Sequence, residues 1–154
     1  MYRIDFSESV RKNITLTVFA LFLLMCIFSL IVGSTFCIAD PPETYLGISS
    51  AGETPQQRTT FLRTLGYSPA DDSEESEDIT IPVVFGDVYD RYNELQKQSG
   101  GDLSLYKGAK CTRYTYLDNA SGMHLNLIVY NGRIIGGDKC TYALDGKMEG
   151  LSNA

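Results

Sequence analysis

The chain has 154 residues, with 13 Lys and Arg against 19 Asp and Glu, for a formal charge of −6. That acidic balance argues against a nucleic-acid partner, whose phosphates demand a basic face. The length leaves room for one folded domain beyond any membrane segment.

Residues 1–13 carry Arg3, Arg11 and Lys12 and read as a cytoplasmic segment. From Ile14 to Ala39 there is no Asp, Glu, Lys, Arg or His. About 20 such residues cross a bilayer as a helix, so residues 14–36 are predicted to be a transmembrane anchor. The first charges after it are Asp40, Glu43 and Glu53. Basic flanks stay on the cytoplasmic side, which predicts a single-pass cell-membrane protein with an extracellular C-terminal domain. Cys37-Ile38-Ala39 loosely fits a signal-peptidase site, but the apolar run exceeds the ~7–15 residues of a signal h-region. From Asp40 onward there are 17 acidic and 10 basic residues, so the exported part carries about −7.

Residues 37–53, rich in Pro, Gly and Ser, read as a stalk, and residues 54–154 as the extracytoplasmic domain. Thr54-Pro55-Gln56-Gln57 is a capping box opening a helix with Phe61, Leu62 and Leu65 on its apolar face, ended by Gly66. Ser68 to Asp78 has six carboxylates in eight positions and reads as an extended loop. A calcium loop is the sharper alternative, although alternating ligands and a mid-loop glycine are missing. Ile79-Thr80-Ile81 reads as a short strand stopped by Pro82. A second helix is predicted over residues 82–99, with Phe85, Val88 or Tyr89, Tyr92 and Leu95 on one side and an Asp87–Arg91 pair on the other. Asp102 should cap a 3₁₀ turn before Gly108.

The last third alternates as β-structure. Residues 109–117 and 123–130 form two strands, and Asn131-Gly132 asks for a type I′ hairpin turn into residues 133–141. Met123, Leu125, Leu127 and Val129 share one face, which should meet both helices. The expectation is an α+β domain: an antiparallel sheet of three or four strands with two helices on one face. Cys111 and Cys140 form a possible disulfide, but a simple meander puts them at opposite strand ends, several residues of ~3.3 Å apart.

Two sets of residues carry a family resemblance. The first is Ile81-Pro82, Phe85, Tyr89, Tyr92-Asn93-Glu94-Leu95-Gln96, Asp102-Leu103 and Tyr106-Lys107-Gly108; the second is Val129 to Asp138 (VYNGRIIGGD) with Leu144-Asp145-Gly146. Together they resemble a bacterial domain of unknown function found in short, N-terminally anchored proteins of Gram-positive anaerobes. The resemblance covers residues 58–151. It implies an uncharacterised cell-envelope domain and brings no reaction or ligand with it. Cys111 and Cys140 are not part of its pattern.

Chemistry-bearing motifs are sparse. His124 is the sole histidine, and no Cys-x-x-Cys, nucleophile elbow, phosphate loop or dinucleotide fingerprint occurs, so no metal or cofactor is expected. His124 could pair with Cys111 or Cys140, or simply face solvent from its strand. Gly136-Gly137-Asp138 reads as a bulge or a close-packed strand end. Ten tyrosines and no tryptophan suit either a small core or a recognition surface. Tyr92, Asn93, Gln96, Tyr106 and Lys107 are the candidate binding residues, since polar groups there sit beside aromatics. The reading is a non-catalytic interaction module for an envelope protein or cell-wall component. Its alternatives are a wall-polymer hydrolase using two of Asp102, Asp138 and Asp145, or a sensor signalling through the N-terminal segment.

Overall fold

The computed structural model describes Leu21, residues 38–141 and residues 146–152. The chain divides into two compact units, Met1–Cys37 and Ile38–Ala154. The predicted anchor and cytoplasmic segment fall in the first and, Leu21 aside, lie outside the described residues. Among the described residues no helix is long and apolar enough to cross a membrane.

The second unit is α+β. It contains β1 (Thr44–Tyr45), β2 (Ile48–Ser49), α1 (Pro55–Thr64), β3 (Glu75–Thr80), α2 (Asp87–Gln98), a 3₁₀ turn (Leu103–Tyr106), β4 (Lys110–Leu117), β5 (His124–Tyr130), β6 (Arg133–Cys140) and β7 (Met148–Gly150). Strands β3-β4-β5-β6-β7 form an antiparallel sheet in chain order, and β1 and β2 form a separate hairpin.

The expected stalk is instead part of the fold. Leu46 and Gly47 both take positive φ, 52° and 75°, which closes β1 onto β2. Tyr45 is then 2 % exposed, with its ring 6.0 Å from that of Phe61. The segment that follows is tied to β6, as the Ile134 amide donates to the Ser50 carbonyl at 2.7 Å. Pro, Gly and Ser serve a tight hairpin as well as a linker, and the buried tyrosine decides between them.

Helix α1 starts as the capping box requires: the Gln57 amide donates to Thr54 Oγ1, and the Thr54 amide to Gln57 Oε1. Gly66, at φ 95°, ends it. The acidic loop is shorter than predicted, because its last four residues belong to β3. Cross-strand partners offset the repulsion there: Glu77 pairs with Arg113, and Thr112 Oγ1 donates to Asp78 Oδ1 at 3.1 Å. A charged strand also suits the sheet edge, where it discourages pairing with other chains. Helix α2 begins at Asp87, five residues after Pro82, because residues 81 and 108–109 continue the strand pairing. Arg91 Nε donates to the Asp87 carbonyl rather than to its carboxylate.

Asn131 and Gly132, at φ 48° and 74°, make the β5–β6 turn. A bulge follows, since Val129 pairs with Ile134 while Ile128 pairs with Gly136. Gly136 and Gly137 then allow close approach on both faces. A Cβ at Gly136 would lie 2.8 Å from Gln96 Oε1, and one at Gly137 would lie 2.5 Å from Leu151 Cδ1.

Five strands rather than three or four make the sheet, and its helices divide between its faces. Tyr116, Leu125, Leu127, Val129 and Ile134 pack with Phe61, Leu62 and Leu65 of the α1 segment and with Tyr45. Cys111, Ile128 and Ile135 face the other way, toward Leu103, Tyr106, Tyr89 and Tyr92. Strand β5 is buried on both faces, so its alternation serves two cores and not one core and solvent. Cys111 and Cys140 are free thiols, so the possible disulfide is not formed. Their registers explain it: Cys111 lies across from Ile79, next to the Thr112–Val129 pair, while Cys140 lies across from His124 at the other end of β5.

Candidate functional site

The predicted binding residues separate. Asn93 is buried and braces the 3₁₀ turn: its Oδ1 accepts from the Leu103 amide at 2.7 Å and its Nδ2 donates to Asp102 Oδ1. Gln96 is fully buried, with Oε1 accepting from the Gly137 amide at 2.8 Å. Tyr106 is 3 % exposed, and half-buried Lys107 places Nζ 4.6 Å from the Phe85 ring centre. Asn93, Gln96 and Tyr106 therefore hold the fold together and cannot present a surface. Of the five, Tyr92 lines the cleft between α2 and the sheet.

That cleft, about 640 Å³, lies between α2 and its face of the sheet. Its apolar walls are Ile79, Val88, Leu95, Ile128 and Met148, and Arg91 and Arg113 supply positive charge. Val88 is 75 % exposed and Met148 48 %, so the apolar wall of the cleft opens to solvent.

Asp138 sits at the back of the cleft, 2 % exposed. The Tyr92 hydroxyl donates to its Oδ1 at 2.7 Å, and Asn126 Nδ2 donates to its Oδ2 at 2.8 Å. Burial pushes the Asp138 carboxyl above the ordinary range, against the opposing pull of Asn126, Tyr92 and the nearby Arg113 charge. Burial and the Asp138 charge push the Tyr92 phenol up, so it stays a donor. With its proton committed to Asp138, the Tyr92 oxygen can offer only lone pairs to the cleft. A buried carboxyl with a shifted pKa at the back of a cleft is a candidate binding group.

Paired-carboxylate hydrolysis finds little here. Among the described residues Asp138 is the one carboxylate lining this cleft. Asp102 accepts from the Ser104 amide and hydroxyl and from Asn93, which together outweigh burial and hold its carboxyl low. Asp145 lies outside the described residues. No group of three or more metal-ligating side chains occurs among the described residues.

On the other face, Arg58 forms a second polar cluster. Its Nη2 meets Glu74 Oε1 at 2.7 Å, Nε meets the Tyr116 hydroxyl at 2.9 Å, and Nη1 meets the carbonyls of Gly52 and Glu53. The guanidinium also stacks 3.6 Å from the Tyr114 ring centre. Its partners lie within the fold, which makes this a structural clamp joining α1, the acidic loop and β4.

Asn126 and Arg113 were not among the sequence candidates. The available signal was Asn126 itself, a lone amide inside the apolar run Leu125–Val129; strand register then puts Asp138 directly across from it in β6. Comparison with protein-family models, with curated proteins and with solved structures gives no match.

Proposed function

We propose that this chain is a membrane-anchored, non-catalytic binding module, displaying its α+β unit on the extracytoplasmic side and taking an amphipathic envelope component in the cleft between α2 and the sheet. The observation carrying this reading is the pairing of exposed apolar Val88 and Met148 with the recessed Tyr92–Asp138–Asn126 network. An apolar portion of the ligand would cover the two side chains, and a polar group would meet Tyr92, Arg91 or Arg113. The anchor and the orientation rest on the ion-free run from Ile14 to Ala39 and on its basic N-terminal flank. The family resemblance of residues 58–151 points to the same compartment.

A photo-crosslinking amino acid placed at 88 or 148 in the full-length chain, in its native membranes, tests the reading. Both positions should give the same discrete adduct, and a control at Gln56 on α1 should give none. Absence of an adduct from either cleft position, or equal labelling from Gln56, would remove the assignment.

A further inference from the structure

The second unit begins without a free linker. Ile38 and Ala39 pack beside Ile81, Leu103 and Tyr106, and the Ala39 amide donates to the Leu105 carbonyl at 3.1 Å. The Tyr106 hydroxyl donates to the carbonyl of Asp40 at 3.4 Å, so the chain is held along the 3₁₀ turn from its first residues. The ion-free run of the sequence ends at Ala39, in the same place.

Large apolar side chains are exposed around that point of entry. Val84 is 82 % exposed, Leu105 52 % and Val83 49 %. They belong to two loops that run side by side. At the base of the loops the Ile81 amide donates to the Ala109 carbonyl at 2.9 Å, and the Gly108 amide to the Ile81 carbonyl at 2.8 Å. Farther out, a Cβ at Gly108 would lie 3.5 Å from Val83 Cγ2, and Lys107 Nζ sits 4.6 Å from the Phe85 ring centre.

We propose that the patch of Val83, Val84 and Leu105 rests on the bilayer that holds the chain's own anchor, its side chains reaching the boundary between headgroups and acyl chains. The inference rests on the membrane-anchored reading above and is independent of what the cleft binds. With the anchor ending at Phe36, Cys37 alone separates it from Ile38. Two steps of ~3.8 Å cross that gap, about 8 Å at full extension. The headgroup layer is itself roughly 5–8 Å deep on each side. Leu105, bonded to Ala39, is thereby kept close to the membrane surface, and the valines beside it come with it. Tethering also makes the contact intramolecular, so a small patch suffices.

The apolar boundary of the bilayer, and not a charged lipid surface, is the partner. Lys107 and Lys110 stand near the patch, but Asp40, Asp87 and Asp102 are as close along the chain, and residues 40–154 are acidic overall. Side chains that enter the boundary by ~5–10 Å gain from leaving water whatever the lipid charge. Docking there also fixes the height of the cleft, since Phe85 stacks on Tyr89 of the cleft wall with ring centres 4.6 Å apart.

The test places the full-length chain, one copy per disc, in phosphatidylcholine nanodiscs, with a fluorescent amino acid at 84, 105 or 119. Asn119 is exposed and lies past the far end of β4, roughly 23 Å of strand from Lys110. Nitroxides placed high on the acyl chains should quench 84 and 105 and leave 119 bright. Val84→Asp, a change at an exposed position, should lower the ratio of docked to undocked domains by about tenfold and remove most acyl-chain quenching at 105. Headgroup nitroxides should still quench 105 in that variant, because the tether remains. Acyl-chain quenching no greater at 84 and 105 than at 119, or unmoved at 105 by Val84→Asp, overturns the proposal. So does shielding of 84 and 105 that needs two copies per disc or an added protein, which would make the patch a protein interface. A chain that washes out of the discs with salt removes the anchor reading, and the proposal with it.

Discussion

Replacing Arg58 by Met should be among the most damaging single changes in the domain. The side chain is 3 % exposed, and its partner Glu74 is 27 % exposed. Removing one member of a buried ion pair costs ~3–5 kcal/mol, and the lower end applies here because Glu74 can still reach water. The carbonyls of Gly52 and Glu53 also lose their donor, at about 1 kcal/mol each where water cannot replace it. Methionine recovers part of this by packing its stem where the arginine stem lay. The net expectation is a loss of about 3 kcal/mol. For a domain of this size that is a fall in Tm of about 12 °C, at roughly 4 °C per kcal/mol. Urea unfolding of the intact chain in mild detergent, followed by circular dichroism, should show a lower midpoint with an unchanged slope. Arg58→Lys should fall between, keeping a charge for Glu74 but not the forked contacts. A loss below about 1 kcal/mol for Arg58→Met, within the range of exposed ion pairs, would refute the clamp.

Two further outcomes follow from the same reasoning. Folding raises the Asp138 carboxyl above its ordinary value of 3.8, so the fold favours the protonated form. That contribution is complete below the unfolded value and is lost as pH rises through the folded one. Relative to wild type, Asp138→Asn should therefore be better tolerated at pH 7 than near pH 3, although at both it loses one of the two acceptor oxygens; an equal change in Tm at both would contradict the assignment. Gly137→Ala would bring a Cβ to 2.8 Å from the Asn126 carbonyl, a backbone atom that cannot swing aside. It should cost about 1–3 kcal/mol in urea denaturation, and a neutral result would show that the strands can spread.

Much of the local structure could be read from single residues, because its causes are local. The Thr54–Gln57 box, the Asp102 cap and the Asn131-Gly132 turn each depend on a few adjacent side chains and backbone angles, and each is found where the pattern put it. The candidate site was less legible. Tyr92 reaches the cleft, but Asn93 and Gln96, polar residues that look like surface, are inside because backbone amides of Leu103 and Gly137 need acceptors there. The stalk reading failed for a similar reason, as one tyrosine with a distant partner outweighed a linker-like composition.

The arrangement of the two helices belongs to the tertiary structure. Period-two alternation along β5 says which residues share a face, but it cannot say whether the second face is wet or packed, and here both are packed. The same holds for the chemistry. Asp138, Asn126 and Tyr92 are separated by 12 and 46 residues along the chain, and strand register and the Gly136–Gly137 approach bring them together. Backbone preferences act between neighbours and leave their mark in the order of residues. A cleft is made by contacts between distant segments, and those depend on how the whole chain packs.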